Sequence, residues 1–90
     1  MNNSKAEKLR NILSNDKLYI MPCCYDALSA KMIEQSGFEL SFMSGFATSA
    51  TKLGLPDTGL ISYGEIIDQG RNICENVNIP IIGDGDTGYG

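Results

Sequence analysis

The chain has 90 residues, of which 42% are hydrophobic and 20% charged, and its formal net charge is −4. This acidic balance argues against nucleic acid or a lipid surface as a partner, because both require basic patches. The chain has no histidine, which excludes Ser-His and Cys-His nucleophilic systems and the usual zinc sites. Three cysteines, two of them adjacent, do not make a disulfide framework. Ninety residues allow at most one small domain.

No apolar run approaches the roughly 20 residues that a membrane-spanning helix requires. The first residues are polar and do not have the pattern of a secretory signal. We therefore expect a cytoplasmic protein that does not bind membranes.

The N-terminal quarter of the chain predicts a short helix followed by a strand. Ser4 and Glu7 have the spacing of a capping box, and apolar residues at helical spacing follow them. The apolar run 18–21, which is stopped by Pro22, predicts a buried strand of about four residues.

The middle of the chain predicts a second helix, a second strand and a loop. Asp26 is placed to cap the helix, and Gly37 suits the position just past its end. Residues 38–43 predict the strand. The small and polar residues 44–51 predict a loop or a loosely packed turn, and turn-forming residues continue through 53–59.

The last third predicts a helix, a strand and a glycine-rich loop. Ser62 and Glu65 form a second capping box. The helix that follows has an apolar face that consists of Ile66, Gly70, Ile73 and Val77. A third strand is predicted at 79–82, before the loop at 83–90. Short apolar strands that alternate with helices indicate parallel strands in an α/β fold.

Candidate functional residues follow all three predicted strands, at 22–26, 44–46 and 83–90, and function in such folds sits at the C-terminal ends of strands. Asp84 and Asp86 flank one glycine, and an extended backbone projects both carboxylates to the same side. Such a pair favours a hard cation such as Mg²⁺ between its members, although a solvated Asp-Gly turn explains the same residues equally well. Ser44 and Gly45 offer a hydroxyl and backbone N–H groups suited to carboxylate or phosphate oxygens, or form an ordinary turn.

Two further patterns carry less information. Asp57 follows Pro56 in a glycine-rich stretch and is either a carboxylate of the metal shell or a turn residue. Residues 83–88 match the G-x-G-x-x-G dinucleotide fingerprint, but the two aspartates within them would repel a pyrophosphate. We therefore do not expect a nucleotide-binding module.

Four motifs, taken together and in this order, resemble the isocitrate lyase/phosphoenolpyruvate mutase superfamily. They are YDALSA at 25–30, MSG at 43–45, LGLPD at 53–57 and GDGDTGYG at 83–90. The resemblance implies that residues 1–90 are the N-terminal portion, about three βα units, of a TIM-type (β/α)₈ barrel, which is incomplete in this chain.

The same resemblance implies roles for individual residues. Asp84 and Asp86 would hold Mg²⁺, with Mn²⁺ as an alternative ion, in part through water. Asp57 would lie near the reacting centre. The implied substrate-binding residues are Ser44, Gly45 and Phe46.

The implied function is a Mg²⁺-dependent carbon–carbon lyase. It would cleave or decarboxylate a small oxo- or hydroxy-carboxylate of the 2-methylisocitrate, dimethylmalate or oxaloacetate type, through an enolate-like intermediate. One alternative is a phosphonomutase that acts on a P–C bond. Another is a non-catalytic fragment that needs the missing barrel or a partner chain. A barrel needs roughly 250 residues, so the isolated chain is expected to be inactive. At full length, the resemblance implies a homo-oligomer, a tetramer.

Overall fold

The computed structural model describes residues 4–56, 61–85 and 87–88. In chain order, the elements are α1 (Ser4–Leu13), β1 (Cys23–Cys24), α2 (Ala27–Gln35), β2 (Ser41–Met43), α3 (Gly45–Leu53), α4 (Tyr63–Asn76) and β3 (Ile81–Gly83). Within these ranges, no helix has the length and apolar character needed to cross a membrane.

The three strands form a parallel sheet in the order β1-β2-β3. Cys24 pairs with Met43, and Met43 pairs with Gly83. The C-terminal ends of all three strands are therefore level. Parallel neighbours require long crossovers, which here contain α2 between the first two strands and α3 and α4 between the last two. The predicted α/β fold with parallel strands is confirmed.

The core consists of apolar side chains from the sheet, from α2 and from α4, and the two helices pack against each other. Its buried members are Cys24, Ala30, Met43, Ile61, Ile66, Ile73 and Val77. The apolar face predicted for α4 is confirmed at Ile66, Ile73 and Val77, which are each at most 5% exposed.

The predicted caps of α2 and α4 are also confirmed. The Asp26 carboxylate accepts a hydrogen bond from the Ser29 N–H at 2.7 Å, and the Ser29 hydroxyl accepts one from the Asp26 N–H at 3.2 Å. Gly37 follows α2 with a φ of +93°, a conformation that favours glycine. At α4, the Ser62 hydroxyl accepts from the Glu65 N–H, and the Glu65 carboxylate accepts from the Ser62 N–H.

The first strand lies later than predicted. Leu18 is 88% exposed and Ile20 is 69% exposed, and β1 begins only after Pro22. Proline does not end this strand, because the Pro22 carbonyl accepts from the Phe42 N–H at 3.1 Å and so opens the pairing with β2. Proline is compatible with the start of an edge strand, where its missing N–H is not needed.

Helix α3 occupies residues that were predicted to form a loop, and that prediction was wrong. The Ser44 hydroxyl caps the helix by accepting from the Ala47 N–H at 3.1 Å, and Gly54 ends it with a φ of +66°. Thr48 and Ser49 are small polar residues of the kind that is common in loops, but both are fully buried. Because small side chains occupy the inner face of α3, its sequence lacks the apolar periodicity that identifies other helices.

The second and third strands are shorter than predicted. β2 begins at Ser41 rather than at residue 38, and β3 is shifted to 81–83. The Pro80 carbonyl accepts from the Ser41 N–H at 3.2 Å, but proline has no N–H to donate in return. Regular pairing of β3 with β2 therefore starts at Ile81, one residue after Pro80.

Candidate functional site

The residues that follow the three strands lie side by side at one edge of the sheet. Each strand is followed directly by one of them: Tyr25, Ser44 and Asp84. The Ser44 N–H donates to the Cys24 carbonyl at 3.0 Å, and the Asp84 N–H donates to the Met43 carbonyl at 3.2 Å. The hydrogen bonding of the sheet therefore extends one residue beyond the strands and fixes the start of both loops.

The Asp84 carboxylate lies against the first residue of α3. Its Oδ2 atom accepts a hydrogen bond from the Gly45 N–H at 3.2 Å. A Cβ atom at residue 45 would lie 2.5 Å from Oδ2 and 3.1 Å from Cγ of Asp84, so only glycine allows this approach. The N-terminus of a helix carries partial positive charge, which favours a carboxylate at this position.

The other residues of the predicted carboxylate pocket lie in the same turn. The Ser44 hydroxyl accepts from the Ala47 N–H and retains its own proton for donation. The Phe46 side chain is 66% exposed. The Phe46 N–H belongs to the first turn of α3, where backbone donors lack intrahelical partners, and it forms no hydrogen bond with the described residues.

The structure thus brings together Ser44, Gly45, Phe46 and Asp84 at the carboxyl edge of the sheet. Asp57, the predicted catalytic residue, and Asp86, the second predicted metal ligand, lie outside the described residues.

The donor chemistry at Asp84 fits Mg²⁺. Among the residues that the structure describes, no three His, Cys, Asp or Glu side chains form a metal-binding group. Mg²⁺ does not require such a group, because it binds through one or two carboxylates and keeps several waters. A carboxylate has roughly four lone-pair sites, so a hydrogen bond from the Gly45 N–H is compatible with a metal ion at the same group. Apart from the chain neighbours of Gly85, no heavy atom of the described residues lies within 4 Å of the position that a Gly85 Cβ would take.

A groove of about 430 Å³ lies between α4 and β3. Asp84 and Gly85 line it together with apolar side chains such as Ile66 and Ile81. Ile81 belongs to a strand that pairs on one side with β2 and has no strand partner on the other among the described residues. The groove is therefore an apolar surface that begins beside the candidate metal ligand.

Gln69 is a further residue at this edge that the sequence did not reveal. Its Nε2 atom donates to the Tyr25 carbonyl at 2.7 Å and so ties α4 to the loop between β1 and α2. In the sequence, Gln69 is distinguished only by its position directly before Gly70, which belongs to the apolar face of α4. Polar residues in helices usually face solvent, so this position does not predict a contact with Tyr25.

Cys24 ends β1 beside the site but does not supply a nucleophile. Its side chain is fully buried, and burial raises the pKa of its thiol, an effect only partly opposed by a hydrogen bond with Ser41. The thiol therefore stays protonated at neutral pH, and it is the thiolate that reacts.

Comparison with known proteins places the chain in a family. The family model described as phosphoenolpyruvate phosphomutase matches residues 9–90. The chain is 44% identical over 84 residues to a carboxyvinyl-carboxyphosphonate phosphorylmutase of Arabidopsis thaliana, which covers 92% of this chain and 25% of that protein. It is 40% identical over 85 residues to a 2,3-dimethylmalate lyase of Eubacterium barkeri, and the aligned region covers 94% of this chain and 29% of that protein.

A solved structure gives the same result. The crystal structure of a phosphonopyruvate hydrolase in complex with oxalate and Mg²⁺ has a TM-score of 0.90 and 36% identity, over 96% of this chain and 30% of that chain. The chain thus spans a quarter to three tenths of the length of the proteins it matches. The resemblance found in its four motifs is confirmed, and the chain belongs to the phosphoenolpyruvate phosphomutase family of the isocitrate lyase/phosphoenolpyruvate mutase superfamily.

Proposed function

We propose that the intact protein that carries this chain is a Mg²⁺-dependent carbon–carbon lyase. It cleaves or decarboxylates a small oxo- or hydroxy-carboxylate through an enolate-like intermediate. One observation carries the proposal: the carboxylate of Asp84 lies directly beside the first turn of α3, so a metal ligand and donors for substrate oxygens are adjacent. The 40% identity to 2,3-dimethylmalate lyase supports the same class of reaction.

The proposal treats residues 1–90 as the opening portion, about three βα units, of a (β/α)₈ barrel. Two observations support this view. The C-terminal strand ends are level and carry the candidate site, as in barrels of this type. The apolar groove beside β3 offers a surface on which the next unit of a barrel packs.

The residues of this chain bind and orient the substrate in the proposed mechanism. The turn formed by Ser44, Gly45 and Phe46 binds one substrate carboxylate, to which the Ser44 hydroxyl and the Phe46 N–H donate hydrogen bonds. Both donors are fixed by the backbone of α3, so they stabilise developing charge without having to reorganise. Asp84, together with Asp86, holds Mg²⁺, which when bound supplies positive charge beside the oxygens on which negative charge develops.

Asp57 completes the proposed site as a carboxylate near the reacting centre, on the basis of the LGLPD motif that the family resemblance identifies. Its substitution by asparagine is expected to lower kcat more than it raises KM, because the residue acts on the reacting atoms rather than on binding.

A phosphonomutase is the second candidate. The 44% identity to carboxyvinyl-carboxyphosphonate phosphorylmutase favours it specifically. Both reactions place negative charge on an enolate, so the described residues serve either one.

Product analysis separates the two candidates. The intact protein is incubated with Mg²⁺ and, separately, with 2,3-dimethylmalate, 2-methylisocitrate, oxaloacetate and phosphonopyruvate, and the products are followed by ¹H and ³¹P NMR. Cleavage of a carbon–carbon bond in 2,3-dimethylmalate, 2-methylisocitrate or oxaloacetate supports the lyase. Conversion of the phosphonate signal into a phosphate-ester signal, without carboxylate cleavage, supports the mutase instead.

Substitution tests the proposed metal ligand in the same assay. Asp84→Asn is expected to abolish turnover. The matched control is Asp68→Asn, which removes a carboxylate that is exposed on α4 and paired with Arg71 at 3.7 Å. Full activity of Asp84→Asn, or undiminished activity in excess chelator, would contradict the proposal.

The proposed partners are a small-molecule carboxylate substrate and further copies of the same protein, in a tetramer. Light scattering of the intact protein measures its mass directly, and a monomeric mass would contradict the tetramer.

A further inference from the structure

We propose that Tyr25 is a further substrate-binding residue: its hydroxyl donates a hydrogen bond to a second acidic group of the substrate, remote from the carboxylate that the turn at 44–46 binds. This inference deepens the proposed function and rests on it, because that function supplies the carboxylate held by the turn. Tyr25 follows β1 directly, as Ser44 follows β2 and Asp84 follows β3.

The register of the sheet places Tyr25 level with the two other residues. The Ser44 N–H donates to the Cys24 carbonyl. The Asp84 N–H donates to the Met43 carbonyl. Cys24 and Met43 are buried in the core, on the face of the sheet that α2 and α4 cover. Because side chains alternate between the two faces of a strand, the residues that follow them belong to the opposite, open face.

Exposure identifies this open face independently. The three residues two positions before Tyr25, Ser44 and Asp84 lie side by side in the sheet, and none of them is buried: Cys23, Phe42 and Ile82. Residues two apart in a strand share a face. The open face therefore carries this layer of residues and, nearer the carboxyl edge, the layer at 25, 44 and 84.

The backbone of Tyr25 is held on both sides, whereas its hydroxyl is left for a ligand. The Tyr25 N–H donates to Ser29 Oγ at 3.0 Å, and the Tyr25 carbonyl accepts from Gln69 Nε2 at 2.7 Å. The side chain is only partly buried. Within the part of the chain that the structure describes, the hydroxyl has no hydrogen-bond partner. A tyrosine hydroxyl can donate one hydrogen bond.

The spacing of the strands decides which part of the substrate Tyr25 meets. Neighbouring strands lie about 4.8 Å apart, so Tyr25 is one strand from Ser44 and two strands from Asp84. A carboxylate at the turn and a metal ion at Asp84 occupy the side of β2 and β3. The end of the substrate that points toward β1 meets Tyr25. A donor there favours an acidic group over a methyl group, because hydrogen bonds to charged groups are the stronger ones.

Two small acids that differ at one end test the proposal without turnover. Succinate carries a second carboxylate where butyrate has a methyl group. Their binding to the intact protein is measured by isothermal titration calorimetry with Mg²⁺ present, for the unmodified protein, Tyr25→Phe and Tyr19→Phe. Tyr19 is the matched control, because it precedes β1, away from the carboxyl edge, and its hydroxyl accepts from Asn15 Nδ2 at 2.8 Å.

Tyr25→Phe keeps the ring and removes only the hydroxyl. We expect it to weaken the binding of succinate about 10- to 100-fold and to leave the binding of butyrate unchanged. Tyr19→Phe should change neither affinity. Equal weakening of succinate and butyrate in Tyr25→Phe would indicate a structural effect and would overturn the proposal. Unchanged succinate binding in Tyr25→Phe, or an unmodified protein that binds both acids equally, would overturn it as well.

The NMR product analysis separates this inference from the proposed function. If the intact protein turns over one of its four test compounds while Tyr25→Phe binds succinate normally, only the role of Tyr25 is overturned. If none of the four is turned over but succinate binding still depends on the Tyr25 hydroxyl, the proposed reaction fails and the binding role of Tyr25 is supported.

Discussion

Lys5 of α1 donates a hydrogen bond from Nζ to the carbonyl of Cys74 in the last turn of α4. Lys8, one turn later, donates to the carbonyl of Asn78 at 3.2 Å. The last carbonyls of a helix lack intrahelical partners and carry partial negative charge. α4 has no basic residue in its own last turn. Lys5 of the first helix therefore supplies a cation that the last turn of α4 lacks, and Lys8 contacts the chain two residues beyond that helix, just before β3.

Removing one of these cations is expected to weaken the fold. Lys5→Met keeps an apolar stem of similar length but loses the charge and the donor, and the free energy of unfolding should fall by roughly 0.5–2 kcal/mol. Urea denaturation of the intact protein measures the change. Lys31→Met, at an exposed position of α2, is the control. An equal effect of both substitutions would show that the contact with Cys74 contributes nothing of its own.

The hydrogen bond from Gln69 to Tyr25 predicts a second effect. Gln69→Leu leaves the partly buried Tyr25 carbonyl without this donor, which should cost roughly 1–3 kcal/mol. Relative to the unmodified protein, Gln69→Leu should accelerate amide hydrogen exchange more in the loop between β1 and α2 than in α4. Gln35→Leu, at the exposed end of α2, is the matched control. Unchanged exchange in the loop would contradict a role for Gln69 in holding it.

The two adjacent cysteines are expected to differ sharply in reactivity. Cys23 is exposed, whereas Cys24 is fully buried and burial raises the pKa of its thiol. At pH 8, a maleimide should modify Cys23 within minutes and Cys24 only after unfolding. The variants Cys23→Ser and Cys24→Ala, each of which keeps one member of the pair, allow the two rates to be measured by mass spectrometry. Equal rates under native conditions would contradict the burial of Cys24.

The cap of α4 predicts a dependence of stability on pH. Hydrogen bonds from Ser62 lower the pKa of Glu65 below its ordinary value. Because the pKa is lower in the folded state, the stabilisation is present above the pKa of the unfolded chain and is lost as the pH falls through the folded value. Tm is measured from pH 7 down to pH 3 for the unmodified protein and for Glu65→Gln, which keeps a neutral acceptor. The advantage of the unmodified protein should disappear at the acid end, and a constant difference would refute the assignment.

Local signals allowed α2 and α4 to be predicted. Asp26 and Ser62 bond backbone N–H groups three residues ahead, and that spacing is visible in the sequence. Ile66 and Ile73 face the core because a helical repeat places them on one side. The position of β1 was not predictable in this way, since pairing with β2 and not apolar character determines where it lies. α3 was missed because Thr48 and Ser49 fill its inner face.

The candidate site was predictable as a location but not as a set of contacts. The carboxyl ends of parallel strands meet at one edge, which places Ser44 and Asp84 together from topology alone. The hydrogen bond from Gly45 to Asp84 depends on an approach of a few ångströms between a helix and a loop that are 39 positions apart in the sequence. No local pattern encodes a distance of that kind.

The strand order has a consequence for how the sheet is made. Each strand pairs with the strand that precedes it in the chain. On the ribosome, β2 finds β1 already synthesised, and β3 emerges roughly 40 residues later, which takes a few seconds at about 5–20 residues per second. β2 and β3 each find a partner strand that has already been translated. The nascent protein can therefore build its sheet vectorially, one strand at a time, with the growing edge always at the most recent strand.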